Sequence, residues 1–358
     1  MRFTLGVLLI LTVLSCKPVP KQTIKENKFA STRPVSEVKI NLLSQDTISI
    51  RALEYKEGTY YFSGSRNLIG QVDASTNHVT LDTITLDEQF EFRSIAVLDD
   101  RVLALNAGAP ARIVAINKAE KDQKIVYKEN TDGVFYDSMK FLDDKMGIVM
   151  GDPTTNGNSK CIVILKTTDG GDNWRRIDCG NLPAFVEGEA AFAASNSNIS
   201  INGDHVWIAT GGKLSRILKS TDSGESFKAI DTPMAAGGTM TGTFAMDFYD
   251  QNTGIIIGGD WENKTSNYRN LAITENGGES WNLIAEGSGV GYCSDIQFVP
   301  ESDGMEVLAV GSEGIWYSKD RGQSWSRLSE QGFYTAAMES GTTGIVAGRN
   351  KIARFELK

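Results

Sequence analysis

Thr167–Trp174 reads TTDGGDNW, and three later stretches repeat its design: Ser220–Phe227 is STDSGESF, Thr274–Trp281 is TENGGESW and Ser318–Trp325 is SKDRGQSW. The shared pattern is Ser or Thr, any residue, Asp or Asn, any residue, Gly, any residue, a small polar residue, then an aromatic. A short apolar run, such as Cys161 to Leu165 or Ile315 to Tyr317, precedes each copy, and a second short run follows. Such a stretch is the turn of a β-hairpin. The Asp or Asn accepts hydrogen bonds from turn amides, and Gly takes the positive φ that other residues resist. The hydroxyl ties down the entry, and the aromatic anchors the exit in a core.

Working outward, each preceding unit ends its second strand on a glycine. Gly64, Gly108, Gly151, Gly211, Gly259, Gly311 and Gly348 are the markers, 37 to 60 residues apart. Short strands at this period describe a propeller. The first strand of each unit is expected at Ile50–Tyr55, Phe92–Leu98, Tyr136–Phe141, Phe192–Ser197, Phe244–Phe248, Cys293–Phe298 and Tyr334–Glu339. The reading is an all-β, seven-bladed β-propeller spanning residues 37–358, with six or eight blades as the alternative. The last unit has three strands, ending on Ile352 to Leu357, so the spare strand Glu37 to Leu43 is expected to complete it and close the ring. Blades 1 and 2 carry simpler turns, at Asp73–His78 and Asn117–Gln123.

The four stretches resemble the Asp-box, or bacterial neuraminidase repeat, which joins the third and fourth strands of propeller blades. Met139-Lys140-Phe141, Asp143, Gly147 and Gly151 ahead of the first box are similar to the repeat of the photosystem II assembly-factor propellers. So are Met246-Asp247-Phe248, Gly254 and Gly258-Gly259 ahead of the third. Gly188–Ser195 and Gly258-Gly259-Asp260 resemble segments of secreted bacterial propellers labelled glycosyl hydrolase or oxidoreductase. The resemblance implies a sialidase-like fold, and fold does not fix activity. It makes the box residues structural: Asp169, Gly171 and Trp174; Asp222, Gly224 and Phe227; Asn276, Gly278 and Trp281; Asp320, Gly322 and Trp325.

The chain opens with Met1-Arg2, an apolar run from Phe3 to Leu14, then Ser15-Cys16. A basic start, a short apolar run and a small residue describe a secretory signal over residues 1–15, too short to span a bilayer. Val13-Leu14-Ser15-Cys16 resembles a bacterial lipobox, which implies a lipid on Cys16. Residues 16–36, with Pro18, Pro20 and Pro34, read as a flexible tether. The expected location is the cell envelope, at the outer membrane or cell surface. Cys161 precedes the first box by six residues and Cys179 follows Trp174 by five, so the two would lie nearly opposite on paired strands. A disulfide there suits an oxidising compartment, and it leaves Cys293 over.

A net charge of −9 gives no support for nucleic-acid binding. With two histidines, a His-based triad and zinc are disfavoured, and no Gly-rich phosphate loop opens a helix. No cofactor or metal is expected. Candidate ligand-binding residues gather on the face opposite the boxes. Arg51, Arg93 and Asp137 begin inner strands, Glu189 precedes one, and Asp152 and Asp260 follow second strands. Arg66, Arg112, Arg216, Arg269 and Arg349 fall in or just after the loops between second and third strands. The longest of these loops, Asp260–Asn270, carries Trp261 and Tyr268.

Two functions follow. One is a monomeric, non-catalytic, membrane-anchored propeller that binds a protein or glycan. The other is a glycoside hydrolase using a pair among Asp137, Asp152, Glu189 and Asp260. The Arg-Ile-Pro motif of sialidases is missing from the first blade, although Arg51, Arg93 and Arg349 could clamp a carboxylate. Arg51 and Arg93 repel unless an anion lies between them. That anion is either Asp137 or Glu189, in an internal network, or a carboxylate of a bound peptide or sugar.

Overall fold

A computed structural model describes residues 34–156, 159–287 and 289–358. The segment expected to be a signal peptide, Cys16 and nearly all of the expected tether lie outside the described residues. Seven antiparallel sheets form among them. Blade 1 comprises Ile50–Lys56, Thr59–Gly64, Leu68–Asp73 and Val79–Thr83, and blade 2 Phe92–Val97, Arg101–Asn106, Ala111–Asn117 and Gln123–Glu129. Blade 3 runs through Tyr136–Phe141, Gly147–Asn156, Ser159–Thr167 and Arg175–Arg176, and blade 4 through Ile199–Asn202, His205–Ala209, Arg216–Ser220 and Lys228–Asp231. Thr241–Phe248, Gly254–Asp260, Leu271–Thr274 and Asn282–Leu283 form blade 5. Blade 6 is Asp295–Phe298, Val307–Gly311, Gly314–Ser318 and Ser326–Ser329.

Blade 7 takes Thr335–Met338, Thr343–Gly348 and Lys351–Leu357 from the end of the chain and Val38–Ser44 from its start. Val38 pairs with Leu357, Ile40 with Phe355 and Leu42 with Ala353. The first and last strands thus share one ladder, and the ring has no open blade.

The core lies between blades. Leu103, Leu105, Ile113 and Ala115 of blade 2 pack on Tyr136, Met139, Val149 and Leu165 of blade 3. Ile50, Tyr60 and Phe62 of blade 1 pack on Ile345, Ala347 and Ile352 of blade 7. Middle strands are covered on both faces, which is why Ala111–Ile116 is buried at every residue and reads as an unbroken apolar run.

Each box closes by local hydrogen bonds. In the first, the Gly171 N–H donates to Thr167 Oγ1 at 3.0 Å, the Asn173 N–H donates to Asp169 Oδ1 at 3.0 Å, and Trp174 Nε1 donates to the Gly171 carbonyl at 3.0 Å. The fourth repeats this at Gly322, Ser324 and Trp325. The box glycines have φ of 84°, 81°, 82° and 81° at Gly171, Gly224, Gly278 and Gly322. A Cβ at these positions would press on Leu103, Ile148, Trp207 and Ile255, each on the second strand of the preceding blade. Glycine is therefore required twice, for φ and for close approach.

Charges stitch the blades along the same face. The sixth box residue accepts from the blade before it: Asp172 from Arg101, Glu225 from Lys166 at 2.7 Å and Glu279 from Lys219 at 2.7 Å. Cys161 and Cys179 form a disulfide that ties the third strand of blade 3 to a 3₁₀ turn, Cys179–Asn181, just past the fourth. Cys293 is buried and free.

One strand departs from the sequence reading. Phe192–Ser197 is not the inner strand of blade 4; that strand is Ile199–Asn202. Glu189–Ala190 pairs instead with Gly211–Gly212, which joins Thr241–Phe248 and widens the blade 5 sheet to six strands.

Burial would raise the Asp222 carboxyl, but the hydroxyls of Ser220 and Ser226 and the N–H groups of Ser226 and Glu225 hold it at about 2. Its folded pKa lies below the ordinary 3.8, so its stabilisation is present above pH 4 and is lost as pH falls toward 2. Asp222→Asn should fold, since Asn276 holds the equivalent place in the third box. The melting-temperature gap between wild type and Asp222→Asn should narrow steadily from pH 5 to pH 2 in thermal denaturation. A gap that stays constant with pH would refute the assignment.

Candidate functional site

An antiparallel meander places the first-to-second and third-to-fourth connections at one end of every blade. The boxes therefore share a face with the inner turns, and the Gly170 N–H donates to the Lys145 carbonyl there. The opposite face carries the starts of the inner strands and is the expected mouth.

That mouth is closed by the chain itself. Ala191–Asn198 crosses the axis, and every residue of it but Ser197 is buried. Inner strands present unpaired backbone groups to the axis, which need partners when dry. Asn196, at φ 68°, supplies several. Its amide donates to the Ile95 carbonyl at 3.0 Å. Its Oδ1 accepts from the Ser94 and Ser138 hydroxyls and from the Met139 N–H at 3.2 Å. The Met246 N–H donates to the Ser197 carbonyl at 2.7 Å. Arg51 donates to the Ala194 carbonyl at 3.2 Å and lies over the Tyr334 ring at 4.2 Å. Blades 1, 2, 3, 5 and 7 are thus tied to one segment.

Several candidate residues serve this plug. Glu189 is buried and held by Arg216 through Nε at 2.9 Å and Nη2 at 2.5 Å, with Thr210 Oγ1 at 2.7 Å. It precedes the plug, not an inner strand as its position in the sequence suggested. Asp152 accepts from the Ala191 N–H at 3.2 Å, and burial raises its pKa. Asp137 is fully buried, and neither of its oxygens has a hydrogen bond of ordinary geometry. Burial first, then Asp152, push its pKa well up, while Arg93 and the Ala193 N–H oppose the shift. No ion pair joins Arg93 to Asp137 or Glu189; Arg93 pairs with Glu91 at 2.5 Å. Burial, then Arg93, lower the Arg51 pKa. Arg112 turns inward to its own strand and Asn130.

Glycoside hydrolysis needs two carboxylates facing a sugar across open space. Glu189 is locked to Arg216, Asp137 has no solvent exposure, and Asp260 Oδ1 accepts turn N–H groups from Glu262 at 2.9 Å and Asn263 at 3.3 Å. Asp152, the remaining member of the four, is half-buried and accepts from the Ala191 N–H.

What the mouth face does expose is Trp261, 44% exposed, and Tyr268, 64% exposed. Their loop is pinned along its length. The Trp261 N–H donates to the Met240 carbonyl, the Tyr292 N–H to the Lys264 carbonyl and Arg269 Nε to the Pro233 carbonyl. Lys264 Nζ lies 4.9 Å from the Trp261 ring centre, and the loop and Glu313 border an open groove of about 600 Å³. Arg66 and Arg349 are exposed on the same face.

Beneath the plug, toward the boxes, the channel widens into a cavity of about 330 Å³. Glu54, Lys140, Asp247 and Asp295 line it, with Ser195, Ser197 and Gln297. Lys140 and Asp247 sit in the Met139–Phe141 and Met246–Phe248 stretches of the repeat, and Glu54 and Asp295 carry no motif; none of the four is among the candidate site residues read from the sequence. Each carboxylate accepts an inner-edge N–H from the next blade: Glu54 from Val97, Asp247 from Phe298 and Asp295 from Ala336. Burial pushes Asp295 up to about 6, against the Ser197 hydroxyl, the Ala336 N–H and the Thr335 hydroxyl.

The pattern of the BNR/Asp-box repeat matches residues 316–327, the fourth box and its flanks. The chain is a seven-bladed β-propeller that carries Asp-box turns. No curated protein matches it. Among solved structures it is similar to YCF48 bound to D1 peptide, at TM-score 0.65 and 13% identity, over 92% of this chain and 99% of that one. It is also similar to YCF48 from Cyanidioschyzon merolae, at TM-score 0.61 and 13% identity, over 90% and 98%. At that identity the likeness of this Asp-box propeller is one of fold.

Asn196→Ala should cost about 2–4 kcal/mol, because it strands buried groups on two blades and puts alanine at a positive φ. Urea unfolding measures this directly. A loss under about 0.5 kcal/mol, the range of ordinary surface changes, would show that the plug does not brace the ring.

Proposed function

We propose that this chain is a non-catalytic propeller that binds a protein partner on its mouth face, held in the bacterial envelope by a lipid on Cys16. The observation that carries the reading is the Asp260–Asn270 loop, which presents Trp261 and Tyr268 to solvent on a pinned backbone. Large aromatics cost little side-chain entropy to immobilise, and they dominate protein interfaces when they are exposed and rigid. The half-buried Arg51 and Arg93, with the exposed Arg66 and Arg349, give the same face cations for a carboxylate-bearing segment. Engagement of Glu189 and Asp260 within the fold, and the burial of Asp137 away from solvent, support a binding role over glycoside hydrolysis. That YCF48, a propeller of the same fold, has been solved bound to a D1 peptide supports a peptide as the bound class. The signal-like start and the lipobox-like Val13–Cys16 support the location.

Affinity capture from envelope extract, with the propeller as bait, tests the binding. Trp261→Ala combined with Tyr268→Ala should reduce capture by about tenfold or more while leaving the melting temperature within about 2 °C. Undiminished capture by a folded double variant would reject the loop as the binding surface. Cys16→Ala should move the protein from the membrane pellet to the soluble fraction. Continued sedimentation with membranes would reject the anchor.

A further inference from the structure

We propose that the cavity beneath the plug, on the Asp-box side of the channel, is a binding site for a protonated alkylamine.

The argument starts from what the fold needs there. Inner-edge N–H groups must be capped, and a neutral amide suffices: Asn196 Oδ1 caps the Met139 N–H at 3.2 Å. At three other blades the cap is a carboxylate. Glu54 Oε2 takes Val97 at 3.3 Å, Asp247 Oδ2 takes Phe298 at 2.7 Å and Asp295 Oδ2 takes Ala336 at 2.8 Å. All three line one cavity. Capping explains the acceptor atoms and leaves the charge unexplained, since a buried charge is costly where a neutral acceptor would serve.

Lys140 is the one basic residue lining the cavity, and it pairs with Glu54 at 2.9 Å. Two carboxylates therefore remain in excess. They are held in place and cannot turn away: Asp295 is also gripped by the Ser197 hydroxyl at 2.5 Å and the Thr335 hydroxyl at 3.0 Å, and Asp247 by the Phe248 N–H at 2.9 Å.

A second, independent observation points to a ligand. Ser195 is 2% exposed and lines the cavity, and its hydroxyl has no hydrogen-bond partner. A buried hydroxyl left unmade is expensive. An ammonium brings three donors, which suit Asp247, Asp295 and the Ser195 oxygen together.

The surface of the cavity is mostly polar, and the inner strands carrying Leu53, Ile199, Met246, Ala336 and Met338 border it, which suits a short alkyl chain between polar groups. About 330 Å³ holds a short alkyl chain with its head group. A neighbouring cavity of about 270 Å³, which shares Glu54 and Lys140 and reaches Lys56, Leu142 and Asp144, gives a route outward on the box face. The amine can come from a free diamine or from a lysine side chain of a docked polypeptide.

The test uses the folded propeller and isothermal titration calorimetry with cadaverine, with Nα-acetyl-lysine amide and with neutral 1,5-pentanediol. Saturable binding of either amine, with none of the diol, is expected, and the tighter amine identifies the source. Ser195→Ala removes an unpartnered hydroxyl and should leave the melting temperature unchanged or raised, while weakening the amine about tenfold. Lys140→Met removes the competing ammonium and should tighten it severalfold. The opposite signs separate a site from a general loss of structure. Absence of saturable binding of both amines at millimolar concentration would overturn the proposal. Equal binding of the diol would also overturn it, as would unchanged affinity in a folded Ser195→Ala.

Discussion

A ring of seven sheets leaves a hole on its axis, and the backbone edges of the inner strands face into it. Everything else in this molecule depends on how those edges are satisfied. Ala191–Asn198 fills one end with main chain, and Asn196 alone engages blades 2 and 3 through both ends of its amide. Farther down, side chains of one blade cap the next: Glu54 serves blade 2, Asp247 blade 6 and Asp295 blade 7. A dry, unpaired amide costs more than most single contacts return, so these few side chains fix how closely the blades can approach.

The rim is secured differently. Each box folds on itself and presses its glycine against the preceding blade, and the first three also take a cation from it. Apolar burial between blades is the larger driving term, because middle strands such as Ala111–Ile116 are covered on both faces. Blade-to-blade packing is non-directional, and the boxes and their ion pairs give it a register. The shared ladder of Val38–Ser44 with Lys351–Leu357 then makes the ring one cooperative object.

This arrangement separates two surfaces. The mouth face is closed at the axis and offers an aromatic loop at its edge. The box face is open at the axis and leads to charged groups. A rigid ring with a sealed mouth suits binding without rearrangement, and on the reading proposed above the two faces serve different ligands.

Much of the fold was legible because its signals are local. Every hydrogen bond that defines the first box lies between Thr167 and Trp174, so an eight-residue string determines the turn, the hairpin and, by repetition, the blades. The spare strand at the start and the missing strand at the end determined the closure. The mouth was legible only as a list. Arg51, Arg93 and Asp137 lie at the starts of inner strands and Glu189 just before the plug, and their surroundings are set by a segment that the sequence presents as a strand. Phe192–Ser197 is apolar enough to pair in a blade, and the 60-residue gap between Gly151 and Gly211 was the one sign of extra chain there. Only the assembled ring decides the matter, because the donors and acceptors that hold Asn196 come from positions 57 to 102 residues away. The same holds for Glu54, Asp247 and Asp295. Asp247 sits in a repeat motif and the other two do not, and the three meet only where seven strands converge on an axis.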